Sequence, residues 1–253
     1  MRKYIPLLVI TTLLWLTGCQ QNQDTTTTPK INVQLSFANE FGGQPLQLNT
    51  LYTTLLNDQL TLTTFNYYVS NIKLKKADGT IWTQEESYHL YKADDQSNGQ
   101  FTINLQEVPQ GQYTELTFSI GVDPLRNSSG AQEGVLDPLN GMFWTWKTGY
   151  MFVKSEGFYY QNNKKQGAWV YHTGDDASYQ TVTLSLNNVA LNASDNRIAL
   201  KADVQKMFGG FAGDATQLKA PTDGSSVSIR GGAQSVLISQ NYRQMFRLNQ
   251  DAQ

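Results

Sequence analysis

The feature that most restricts this chain is an alternation of apolar and polar residues with period two, repeated along most of its length. Val33, Leu35 and Phe37 alternate with Asn32, Gln34 and Ser36. Leu116, Phe118 and Ile120 do so with Glu115, Thr117 and Ser119, and Val182, Leu184 and Leu186 with Thr181, Thr183 and Ser185. Ile198, Leu200 and Ala202 follow the same rule. On an extended chain each run puts its apolar side chains on one face. Strands with one buried face, separated by turns, predict an all-β fold, an antiparallel, Greek-key-like β-sandwich with long loops. Helical periodicity is scarce. Asp203 to Phe208 has room for a turn or two. Ile238, Tyr242, Met245 and Phe246, at i, i+4, i+7 and i+8, predict a short amphipathic helix. The Gly-, Ser- and Asp-rich segment 209–234 reads as an ordered, irregular loop. No repeat or boundary divides the chain, so residues 31–253 read as one domain.

One strand carries more detail. Phe65, Tyr67 and Val69 are odd, whereas Ile72 and Leu74 are even, so the apolar face changes phase between them. A β-bulge near Ser70-Asn71 restores one buried face. Ala77-Asp78-Gly79-Thr80 then supplies a hairpin turn before Ile81-Trp82.

The N-terminus reads as an export leader. Arg2 and Lys3 precede an apolar run from Ile5 to Leu16, which is shorter than the roughly 20 residues a membrane span needs. Leu16-Thr17-Gly18-Cys19 resembles a bacterial lipobox, so residues 1–18 are expected to be removed and Cys19 to carry lipid. Gln20, in place of Asp, resembles the sorting pattern of outer-membrane lipoproteins of Gram-negative bacteria, facing the periplasm or the cell surface. The polar, Thr-rich residues 19–30 read as a tether. Cys19 is the only cysteine, so the mature chain has no internal disulfide and no thiolate metal site. The formal net charge is −2, and loss of Arg2 and Lys3 makes it more negative. No basic stretch suits nucleic acid.

The densest stretch is 121–157, GVDPLRNSSGAQEGVLDPLNGMFWTWKTGYMFVKSEG. Asp123-Pro124 and Asp137-Pro138 read as turn initiators. After Gly141 the aromatic run reads as a strand, on which Trp144 and Trp146, two apart, point to the same side. This run, with FNYYVSNIKLKKADGT at 65–80, SYHLYKAD at 87–94, VYHTG at 170–174 and QNYRQMF at 240–246, resembles the MbnP-like periplasmic copper-binding proteins. The blocks keep their order and cover most of the chain after residue 30. The resemblance implies a secreted β-rich protein that binds copper, in whose relatives a tryptophan is oxidised to kynurenine. It also implies a di-haem MauG-like peroxidase as the partner that oxidises it. Many members with a methanobactin association carry four cysteines. This chain has one, and that part does not transfer.

The resemblance directs attention to the two histidines, His89 and His172, both inside matching blocks; either is otherwise an ordinary hydrogen-bonded residue. Neutral imidazoles suit copper, and two of them satisfy Cu(I), which tolerates low coordination. An unmodified indole has no lone pair for a metal, so Trp144 or Trp146 becomes a ligand only as kynurenine. The expected metal set is therefore His89, His172, Trp144 and Trp146, with the histidines converging on one ion at a rim of the sandwich. Met142 and Met151 are thioether candidates or core residues, and Asp175-Asp176 reads as a solvated turn. No nucleophile motif is present, so the chain is not expected to be an enzyme. A different class stays open: a surface lipoprotein module binding glycan or protein through exposed aromatics, among them Trp82, Tyr159, Tyr160 and Trp169.

Overall fold

The structure, a computed structural model, describes residues 28–249 except 95 and 148. The expected leader, Cys19 and the tether up to residue 27 lie outside the described residues. The strands, in chain order, are β1 (Lys30–Phe41), β2 (Gln44–Pro45), β3 (Leu51–Thr53), β4 (Gln59–Lys76), β5 (Ile81–Thr83), β6 (Tyr88–Lys92), β7 (Gln100–Pro109) and β8 (Gly111–Ile120). They continue with β9 (Met151–Gln161), β10 (Lys164–Gly174), β11 (Gln180–Leu191), β12 (Arg197–Asp203), β13 (Val227–Arg230) and β14 (Phe246–Leu248). The α-helices are α1 (Pro124–Ser128) and α2 (Gly232–Tyr242).

Two sheets enclose the core. The smaller runs β14-β12-β1, with β7 and then β2 on the far edge of β1. The larger runs β11-β8-β4-β9-β10-β13, and β3, β6 and β5 also pair with β4. The fold is the expected β-sandwich, antiparallel except for β1 beside β12 and β10 beside β13. The alternating residues face inward as their period requires. Val33, Leu35, Phe37, Leu116, Phe118, Ile198 and Leu200 all join one buried cluster. Phe37 meets Phe118 edge-on at 5.6 Å between centroids. Each such side chain contributes about 1.5–3 kcal/mol by leaving water, and with no cysteine but Cys19 this burial is what holds the domain together.

Strand β4 changes phase where the sequence indicates. Asn71 is left-handed, at φ 53°, and the register against β8 shifts between Ser70 and Lys73. Phe65, Tyr67, Val69, Ile72 and Leu74 are all buried in the same cluster. A second bulge is new: the register against β9 skips Thr63 between Leu62 and Thr64, which brings the even residues Leu60 and Leu62 to the same face. The hairpin at Asp78-Gly79 also forms, with Gly79 at φ 89° and Leu74 opposite Trp82.

The end of the chain departs in part from expectation. Asp203 caps a 3-10 turn over Val204–Phe208. Ile238, Tyr242, Met245 and Phe246 are all buried, but α2 stops at Tyr242 and Phe246 starts β14 because it pairs with Ala202. The segment expected as irregular loop contains β13, paired in parallel with β10 from Trp169↔Val227 to His172↔Arg230. Four residues are too few for their own alternation to be read.

Candidate metal centre

The large sheet forks at the middle of β4. Tyr67 pairs with Tyr91 of β6 and Val153 of β9, while Val69 pairs with His89 of β6 and Ile120 of β8. A strand has two edges, so β8 and β9 share the edge opposite β6 and part from one another near Tyr68. The chain leaves at Ile120, returns at Met151, and packs the intervening loop over the outer face of the fork.

Local sequence explains how that loop is held. Gly121 donates its N–H to the Tyr68 carbonyl, and Ser70 Oγ donates to the Gly121 carbonyl at 2.7 Å. Asp123 caps α1 with Pro124 in its first turn, and Asp137 caps a 3-10 turn over Pro138–Asn140 that ends at left-handed Gly141. Both Asp-Pro pairs thus start turns, as their chemistry indicates. Asn127 Oδ1 accepts the N–H of Tyr150 at 2.8 Å, and its amide donates to Asp176. Beneath lies a second apolar cluster that includes Tyr68, Leu136, Met142, Trp144, Met151 and Phe152. Both methionines are core residues there.

The aromatic run is not the expected strand. Between Gly141 and Met151 the ladder amounts to one bridge, Phe143↔Tyr150. The backbone N–H of Trp144 donates to the Gly149 carbonyl at 3.0 Å, closing a tight loop that uses the positive φ of Gly149, 118°. The two indoles nevertheless meet, with centroids 4.7 Å apart at 54°. Their exposures differ: Trp144 is 2% exposed and Trp146 is 56% exposed.

Trp144 lies in a cradle. A Cβ on Gly174 would fall 2.9 Å from Trp144 Nε1 and Cζ2 and 2.5 Å from the Tyr150 carbonyl oxygen. Lys147 Nζ stands 4.9 Å above the indole and is ion-paired with Asp175. Asp175 therefore fixes the lid of the cradle, where the sequence had indicated only a solvated turn. Among the described residues, the buried Trp144 Nε1 has no hydrogen-bond partner. The His172 ring lies 6.2 Å away.

His172, on β10, is 7% exposed, and its Nε2 bonds Glu156 Oε1 at 2.7 Å. Burial lowers its pKa below the usual 6.5, with the Glu156 bond opposing that shift. The ring is therefore neutral at neutral pH. With Nε2–H donated to a carboxylate, the lone pair is on Nδ1, the tautomer control common behind metal-binding histidines. Neither Glu156 nor Lys147 was singled out from sequence. The usable signal for Glu156 was the turn Asn162-Asn163, at φ 50° and 57°, which starts the β9–β10 pairing. A register shift between Lys165 and Ala168, which the turn does not announce, then sets the neighbours of His172.

His89 is elsewhere. It lies opposite Val69, whereas His172 lies opposite Lys154, which lies opposite Asn66. Asn66 and Val69 are three residues apart with no bulge between them, and an odd offset places them on opposite faces. Val69 faces the core, so His89 shares the inner face and His172 the outer. Three strand spacings and three residue steps separate them by roughly 17 Å. The expected convergence of His89 and His172 does not form, because the relation between the two rows crosses four strands. His89 Nε2 instead bonds Gln84 Oε1 at 2.9 Å, and burial lowers its pKa to about 4. Among the described residues, no three His, Cys, Asp or Glu side chains are gathered as for a metal ion.

The aromatics of the glycan or protein module do not form a platform either. Trp169 and Tyr159 are buried in the main core, Trp169 stacked on Tyr171 at 5.2 Å, while Trp82 and Tyr160 are half-buried.

The fold and site define a β-sandwich whose one large loop presents a tryptophan pair to a histidine across the outer face of a forked sheet. The MbnP family model matches residues 30–228, and the chain belongs to the MbnP family. The solved structure of MbnP from Methylosinus trichosporium shares the fold, with a TM-score of 0.50 at 16% identity over 81% of this chain and 82% of that one. No curated protein matches the sequence.

Proposed function

We propose that this chain is an exported copper-handling protein, held to the outer membrane through Cys19, that takes its copper at the outer face beside Trp144 and Trp146. It performs no turnover of its own. The observation that carries this reading is His172: a neutral imidazole, oriented by Glu156 and 6.2 Å from the Trp144 ring. Copper is the cargo, and the residues fit it in part. His172 supplies one nitrogen through Nδ1. The indole N–H has no lone pair to give, so a second donor arises when one tryptophan is oxidised to kynurenine by a partner di-haem peroxidase. Trp146 is the ring such a partner can reach, and Trp144 is the one enclosed near the histidine. Leu125, Leu139 and Val135 are exposed on the same loop, which favours a protein partner at this surface.

The test is Cu(I) titration of native-purified protein against a competing chelator, with intact mass to detect conversion of a tryptophan to kynurenine. His172→Ala should lose at least about tenfold in affinity, as removal of one of few ligands does, and His89→Ala should bind as wild type. Unchanged binding by His172→Ala, or a loss confined to His89→Ala, removes the metal from this face.

A further inference from the structure

We propose that the opposite end of the large sheet carries a second, separate site for a neutral oligosaccharide. A cleft of about 670 Å³ opens there between the β3–β4 turn, the tip of the β9–β10 hairpin and the segment 220–225, within the size range of ligand pockets. From the row of Asn66, which pairs with Lys154 beside His172, to the row of Gln59, β4 runs six ladder steps, or about 20 Å, so the cleft is distinct from the tryptophan centre.

The cleft is built rather than left over. Thr53 pairs with Gln59 and Gln59 with Tyr160, so a hydroxyl, an amide and an aromatic ring stand in one row across three strands. Gln59 and Asn163 are doubly joined: Gln59 Nε2 donates to Asn163 Oδ1 at 3.3 Å, and Asn163 N–H donates to Gln59 Oε1 at 3.4 Å. The third wall is tied down at both ends. Ala220 N–H donates to Asp58 Oδ2 at 3.0 Å, and Ala168 N–H donates to Ser226 Oγ at 2.9 Å. At Gly167 the backbone passes so close that a Cβ would lie 2.0 Å from the Ser225 carbonyl oxygen. These ties fix the walls before any ligand arrives, which lowers the ordering cost of binding.

The lining chooses the ligand class. Six side-chain amides face or flank the cleft, from Asn57, Gln59, Gln161, Asn162, Asn163 and Gln166. A side-chain amide carries two N–H donors and an acceptor side by side, which matches the paired hydroxyls of a sugar. Gln59, Asn163 and Gln166 use part of that capacity to hold the walls, through the Gln59–Asn163 pair and the Lys164 carbonyl, and the rest faces the ligand. The half-buried Tyr160 ring offers an apolar face with a polar tip, suited to the C–H face of a pyranose. Asp58 is the one charged side chain in the lining. Lys165, opposite Tyr160, has its Nζ over the Phe158 ring. Among the described lining residues a phosphate or sulfate finds no cation, and a metal ion finds one carboxylate, already bonded to Ala220.

The experiment is calorimetric titration of the full chain with maltohexaose, cellohexaose and N-acetylchitohexaose, each to about 10 mM, a range that reads dissociation constants near 1 mM. A sulfated heparin hexasaccharide and an uncharged hexapeptide serve as comparisons. At least one neutral sugar should bind, with a roughly tenfold loss in Tyr160→Ala and in Gln59→Ala and retention in Tyr160→Phe. Thermal midpoints establish that each variant is folded, and Gln59→Ala carries the test if Tyr160→Ala is not. Failure of all three neutral sugars to bind overturns the proposal. So does binding that ignores both substitutions, or tighter binding of the sulfated or peptide probe.

Discussion

Replacing Gly174 by alanine tests whether the tryptophan cradle is built by close approach. The added Cβ would lie 2.5 Å from the Tyr150 carbonyl oxygen and 2.9 Å from two atoms of the Trp144 indole. The carbonyl belongs to backbone tied on both sides, since Tyr150 N–H bonds Asn127 and Met151 N–H bonds the Met142 carbonyl at 2.7 Å. It yields less easily than the ring. Overpacking of this kind costs about 1–3 kcal/mol, which for a domain of this size lowers the melting midpoint by roughly 2–12 °C. The indole is the part that moves, toward solvent and away from its tilted contact with Trp146. Calorimetry reads the first effect, and near-ultraviolet circular dichroism, sensitive to two indoles in contact, reads the second. Copper affinity should fall with the loss of that signal. A Gly174→Ala protein that melts with wild type and keeps its aromatic dichroism would refute the close-approach argument.

Other predictions follow from the same geometry. Burial lowers the folded pKa of His89 to about 4 from 6.5; the unfolded chain thus binds the proton first as pH falls. The stability due to neutral His89 is complete above pH 6.5 and is lost between there and about pH 4, on the order of 3 kcal/mol; His89→Gln should flatten that part of a denaturant-midpoint profile against pH. Asn71→Ala should cost roughly 1–2 kcal/mol, because alanine resists the left-handed conformation at φ 53°, whereas Asn71→Gly should cost less; equal urea midpoints for the two would contradict the bulge. Cys19→Ser should release a soluble or uncleaved chain on membrane fractionation, and continued sedimentation of a processed mutant with outer membrane would contradict lipidation.

What the sequence determined by itself was local. Alternation with period two is a property of neighbouring residues, so the strands and their buried faces were legible. So was the phase change at Ser70-Asn71, since one extra residue leaves its mark on every apolar position beyond it. The Asp-Pro caps and the Asp78-Gly79 hairpin depend on one or two residues and their preferred φ, and they were legible for that reason. The tertiary structure alone decided the rest. The face to which a histidine turns is set by register across several strands, and each pairing can reverse parity, so His89 and His172 read as companions in sequence and stand on opposite sides of a sheet. The unlike fates of Trp144 and Trp146 depend on Gly174 and Asp175 from β10 and the turn that follows it, and the pairing of Val227–Arg230 with β10 depends on a partner strand more than fifty residues earlier. Side-chain direction along one strand is a local fact. Which directions meet is a fact about how strands come together, and no window on a single strand contains it.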